Sequence, residues 1–333
     1  MKATPLPPVD IVAHFPWLGE FAAPAVRLHP RRRANLPVHV SKMGGLFFWP
    51  RTVPWPVCRA RDTRALFDFS RPEKVAEFNA FLERAQELEE LSGLGSHRAA
   101  QWTGRHIEEI QELDRRSRMV HNEAYLPLLQ LRREDFPAVP FPRDTDLFQL
   151  LWCPHLHWAG PPAEPPGFLV FWRRQADLVD PLLTEPSLPE GVDLFECALE
   201  PEEIIEFPVS GAFEEHFRSD LNFLLTTLLE CDDGAGLYDA ALSAAPGVKL
   251  FGYPRWVGAA STPDCVCGRR MRLLVTVDTG EAGTGPLSAE RWSREDEGPV
   301  LSHGMAFAEQ GALYLFHCES CRGPQLRAVI QTG

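Results

Sequence analysis

Cys265-Val266-Cys267-Gly268 and Cys318-Glu319-Ser320-Cys321 place two short cysteine pairs about 50 residues apart in the last third of the chain. Each short pair can span one edge of a tetrahedron, and four thiolates suit zinc at Zn–S distances of about 2.3 Å. The quartet Cys265, Cys267, Cys318 and Cys321 therefore predicts a structural zinc site, in preference to a disulfide. The opening residues, Met1-Lys2-Ala3-Thr4-Pro5-Leu6-Pro7-Pro8, lack the apolar stretch of a secretory leader. The expected location is the cytoplasm, where cysteines bind metal or pack as thiols.

A second group of candidate ligands lies earlier, at Cys58 and in Cys153-Pro154-His155-Leu156-His157. Cys58, Cys153, His155 and His157 could make a mixed Cys/His metal site, because neutral imidazole is an ordinary zinc ligand. The alternative is a pair of cysteines that pack as small hydrophobes where a site has been lost. Three of these ligands with an open position would make a hydrolytic zinc, with Asp144 or Asp146 as base. No His-Glu-x-x-His, Gly-x-Ser-x-Gly, phosphate-loop or dinucleotide motif accompanies them.

The elements that must carry these residues are mostly strands. Leu126–Leu131, Leu147–Trp152, Phe168–Trp172 and Met271–Asp278 are short apolar runs bounded by Pro- and Gly-rich turns, and Leu194–Leu199 is a further candidate. Ser41-Lys42-Met43-Gly44-Gly45 and Phe48-Trp49-Pro50 cannot be helical, given their glycines and prolines. Lys42, Phe48, Trp49, Trp55, Tyr253 and Trp256 are candidates for an aromatic groove that receives a partner. Ser70-Arg71-Pro72-Glu73 has capping-box spacing and opens an expected helical hairpin over 72–122. Phe213, Phe217, Leu221, Leu224, Leu225 and Leu228 predict an amphipathic helix over 212–230.

The order of these segments repeats. Lys249-Leu250-Phe251-Gly252 through Trp256 echoes Lys42-Met43-Gly44-Gly45 through Trp49, and each is followed by a cysteine-bearing loop, an apolar strand and a strand ending in Cys. The expected fold is α+β: a β-rich duplicated domain with pseudo-two-fold halves, an inserted helical hairpin and a zinc-ribbon-like staple. Residues 1–210 would form the first half with its insert, and 211–333 a helix with the second half and the four-cysteine site.

Ser41-Lys42-Met43-Gly44-Gly45, Phe48-Trp49-Pro50, Leu128–Leu131, Gly252-Tyr253-Pro254 and the Gly311–Phe316 run resemble the bacterial YwqG-like proteins. Cys267-Gly268, Met271–Val275 and Leu313–Cys321 are similar, more distantly, to the eukaryotic programmed-cell-death-2 proteins. Relatives of that second kind chaperone a newly made ribosomal protein, so the resemblance implies protein binding and no catalysis. The long insert and the incomplete first quartet depart from the pattern.

Charge narrows the partner. A net charge of −13 argues against phosphate-backbone binding and suits either plain solubility or a basic protein or peptide client. No apolar run reaches the ~18 residues of a membrane span. The expectation is a non-enzymatic binding module, chaperone-like or immunity-type, held by structural zinc; a zinc hydrolase built on the first-half cluster is the alternative.

Overall fold

The computed structural model describes residues 4–58, 123–153, 167–188, 192–283, 285–294, 303–307, 311–321 and 323–332. The hairpin expected over 72–122 lies outside them, as do His155 and His157.

Among the described residues the strands are β1 (Ala23–Arg27), β2 (Arg31–Arg32), β3 (Lys42–Met43), β4 (Val57–Cys58), β5 (Glu123–Ala124), β6 (Leu126–Arg132), β7 (Leu147–Trp152), β8 (Phe168–Arg173), β9 (Cys197–Ala198), β10 (Glu202–Glu206), β11 (Lys249–Phe251), β12 (Arg272–Asp278), β13 (Gly311–His317) and β14 (Leu326–Thr332). They build two antiparallel six-stranded sheets and a small β4–β5 ribbon. The first sheet runs β10-β1-β11-β12-β13-β14 and the second β2-β9-β3-β6-β7-β8. Helices are few among the described residues, which form an α+β fold dominated by its sheets. Of the run expected at Leu194–Leu199, only Cys197–Ala198 pairs as strand.

The apolar runs become central strands because both of their faces are covered. Period-two alternation sends Leu313 and Leu315 of β13 inward, and Ala312, Tyr314 and Phe316 outward. On β7, Phe148 and Leu150 point inward and Leu151 outward. The inner faces of both sheets meet in one core that includes Met43, Leu129, Leu131, Leu250, Val275 and Val277. Each sheet carries one irregularity in the same place: pairing shifts between Pro127 and Leu129 on β6, and between Leu273 and Val275 on β12. A bulge there lets the neighbours Leu128 and Leu129, and likewise Leu274 and Val275, share the core.

A buried lysine follows the same plan in each sheet. Lys42 Nζ lies 2.8 Å from Glu196 Oε1, and Lys249 Nζ lies 2.6 and 2.7 Å from the two oxygens of Glu206. The chain then makes two consecutive left-handed residues, Gly44 and Gly45 at φ +65° and +68°, and Phe251 and Gly252 at φ +62° and +66°. Glycine is needed at the second position for space as well as for φ. A Cβ on Gly45 would lie 2.6 Å from Glu196 Oε1, and one on Gly252 would collide with Glu206 Oε2.

The Glu215–Leu228 helix realises the one expected over 212–230. It sets Leu221 and Leu225 into a separate cluster with Leu18, Phe207 and Tyr238.

One buried histidine makes stability pH-dependent. His303 is fully buried, its Nδ1 accepts from the Met305 N–H, and its Nε2 lies 3.9 Å from Glu281 Oε1. Burial pushes its pKa down from 6.5 to about 4. The unfolded chain takes up the proton first, so the contribution of the neutral ring is intact above pH 6.5 and is lost as pH falls towards 4. Two and a half pH units correspond to about 3 kcal/mol. Denaturant midpoints for the wild type and His303→Asn should converge across that window; parallel curves would show that His303 does not drive the loss.

Candidate metal centre

The two cysteine arms meet at one end of the first sheet, on its outer face. The first arm is a tight turn: Gly268 N–H donates to the Cys265 carbonyl and Cys265 N–H to the Arg269 carbonyl, each at 2.8 Å, with Gly268 at φ +77°. Met271 N–H then donates to the Pro263 carbonyl at 3.0 Å, which fixes the turn against the start of β12. The second arm leaves the end of β13, where Cys318 N–H donates to the Gln325 carbonyl at 3.1 Å.

The four sulfurs lie within 4.8 Å of one another, with Cys265–Cys321 and Cys267–Cys318 separations of 3.6 Å. Zn–S bonds of about 2.3 Å in a tetrahedron require edges of about 3.8 Å, so the quartet fits a zinc ion. Cys265 and Cys318 are buried, Cys321 is half-buried and Cys267 is exposed, over a floor of Met271, Leu273, Tyr314 and Phe316.

The thiols alone do not share charge comfortably. The Ser320 amide leads in holding Cys318 down, to about 7, whereas hydrogen bonds to Cys265, Cys267 and Cys318 push Cys321 up to about 12. Like charges this close cannot all ionise without a cation among them. Two rim arginines are engaged by neighbouring acids: Arg272 Nε lies 2.8 Å from Glu319 and Arg270 Nη1 lies 3.5 Å from Asp264.

Both earlier cysteines lie near Tyr125. Cys58 and Cys153 are 2% and 1% exposed, and Tyr125 feels both. Burial raises the Tyr125 pKa above its ordinary value, with the two thiols adding to the effect. Such burial leaves little of the access to water that a hydrolytic zinc requires. Asp146 is committed to the fold, accepting the Gln175 N–H at 2.7 Å.

Of the six candidates for an aromatic groove, Tyr253 and Trp256 line a common groove, whereas Lys42 and Trp49 pack in the core. Lys42 and Trp49 are fully buried, Lys42 by its ion pair and Trp49 by packing against Trp55 at 4.8 Å and Phe171 at 4.9 Å. Trp256 belongs to the cluster on the outer face of the other sheet, with Tyr314 and Phe316. Tyr253 also lines a groove of about 940 Å³ beside the metal centre, together with Trp172, Pro254, Met271, Leu273 and Leu326. Cys318 and Cys321 form part of its wall. Trp172 was hidden from sequence reasoning because it comes from β8 of the other sheet.

Among the described residues no helix is long and apolar enough to cross a membrane. No protein-family model matches the chain, and no curated protein sequence matches it.

Proposed function

We propose that the chain is a duplicated β scaffold that receives a protein segment in the groove beside a structural zinc centre, without catalysing a reaction on it. One observation carries this reading: the groove and the cysteine cluster share walls, since Cys318, Cys321 and Met271 belong to both. An ion there would hold a binding surface in shape, which is a purpose for a staple placed at the end of a sheet.

Duplication is supported by the matching strand order, the matching bulges and the two buried Lys–Glu pairs. We infer membership of the YwqG-like family from the same segments, and a cytoplasmic site of action from the cysteine usage. The client expected from net charge alone is basic. The groove's Arg270 and Arg272 are already engaged by Asp264 and Glu319, which favours a client whose seated segment is apolar and whose remainder is steered by the −13 field.

The test is co-purification of the tagged chain from its native host, scored against Met271→Glu and Tyr253→Ala. Both should lose one stoichiometric protein that Phe223→Ser retains, because Phe223 is exposed on a helix away from the groove's lining residues. A chain that purifies alone under several growth conditions refutes the proposal.

A further inference from the structure

Cys58 and Cys153 occupy, on the outer face of the second sheet, the places that Cys265 and Cys318 occupy on the first. Backbone hydrogen bonds set this correspondence. Tyr125 N–H donates to the Pro56 carbonyl at 3.0 Å, as Met271 N–H does to the Pro263 carbonyl at 3.0 Å. Cys153 N–H donates to the Gly167 carbonyl at 2.8 Å, as Cys318 N–H does to the Gln325 carbonyl at 3.1 Å. The strand registers agree, with Trp152 opposite Phe168 and His317 opposite Leu326. At the C-terminal centre this arrangement brings the sulfurs within 4.8 Å.

The surroundings differ in one decisive way. Cys265 and Cys318 sit with two further thiols at a rim that is partly open, whereas Cys58 and Cys153 are buried near Tyr125, which packs against the cluster of Phe47, Trp49 and Leu151. Among the described residues these positions offer two thiols where the C-terminal centre offers four, too few to close a structural zinc site but enough for one disulfide.

We propose that Cys58 and Cys153 form a disulfide when the protein meets a low-molecular-weight disulfide such as oxidised glutathione. When a local opening exposes the buried pair, the thiolate of one cysteine attacks the glutathione disulfide and releases one glutathione thiol. The second cysteine displaces the other glutathione from the mixed disulfide. One S–S bond breaks and one forms, and the two protein thiol protons end on two glutathione thiols, which carry the two electrons. The bond would join the β4–β5 ribbon to the end of β7, where the ion joins the Cys265 turn to the end of β13.

Full-length, zinc-loaded protein is incubated with oxidised glutathione for several days, then alkylated, digested and mapped. The expected product is a peptide pair cross-linked through Cys58 and Cys153, restored to thiols by dithiothreitol and absent from Cys153→Ser. Cross-links confined to Cys265, Cys267, Cys318 and Cys321, with the Cys58–Cys153 pair missing at every glutathione ratio, overturn the proposal. So does a Cys58 cross-link to any partner other than Cys153.

Discussion

Cys318→Ser is expected to reduce zinc from one ion per chain to none and to destabilise the end of the first sheet. A structural ion contributes to stability as any ligand of the native state does: about 4 kcal/mol when its free concentration is a thousand times the dissociation constant. Cys318 suits this test because it is buried and because its backbone N–H already closes the turn to Gln325. Elemental analysis checks stoichiometry, and denaturant unfolding with and without a chelator checks energy. The chelator should weaken the wild type by about as much as the substitution does, and should leave the variant unchanged. Acid should release the ion, because protons compete for thiolates. A wild type that purifies without zinc, or a variant as stable as the wild type, would remove the staple from the account.

Lys249→Met should cost about 3 to 5 kcal/mol, the usual penalty for stranding one partner of a buried ion pair. Glu206 is fully enclosed, and its carboxylate accepts from Lys249 Nζ, from Ala245 N–H at 2.9 Å and from Tyr253 N–H at 2.9 Å. Desolvation drives the Lys249 pKa down, and the Glu206 carboxylate opposes that shift. Removing the ammonium leaves a carboxylate in the core with only amides to answer it. Lys42→Met should cost less, because the Glu196 side chain keeps 13% exposure and can recruit water. The double change Lys249→Met with Glu206→Leu should regain part of the loss, less whatever the two orphaned amides cost. Equal losses from the Lys42 and Lys249 substitutions would show that enclosure of the acid does not set the scale.

The long apolar runs were legible because their length and flanking turns specify strands whatever the partner, and Leu126–Arg132, Leu147–Trp152 and Phe168–Arg173 pair as expected. The cysteine quartet was legible because thiol spacing encodes ligand geometry directly. The Lys-x-Gly-Gly and Lys-x-Phe-Gly segments were recognisable as alike, but the acids that answer their lysines were not. Glu196 precedes β9 and Glu206 ends β10, so the two carboxylates reach equivalent lysines from different strands. Two-residue strands such as β2, β3 and β9 carry no periodicity, and their pairing is decided by tertiary packing. Trp49 fits either a groove wall or a core-packed segment by sequence, and its packing on Trp55 and Phe171 decides for the core. Sequence reports that an aromatic is present; only the fold says which way it faces.

The seating of β1 among β10 and β11 has a consequence for synthesis on the ribosome. Arg27 pairs with Lys249, and Ala23 with Glu206, so the first strand emerges long before either neighbour exists. At about 5–20 residues per second, its partners arrive roughly 10 to 45 s later. Through that interval β1 has no native strand beside it. The gap between β2 and β3 likewise stays open until β9 has been made. A nascent chain of this design depends on whatever keeps its early strands from pairing elsewhere.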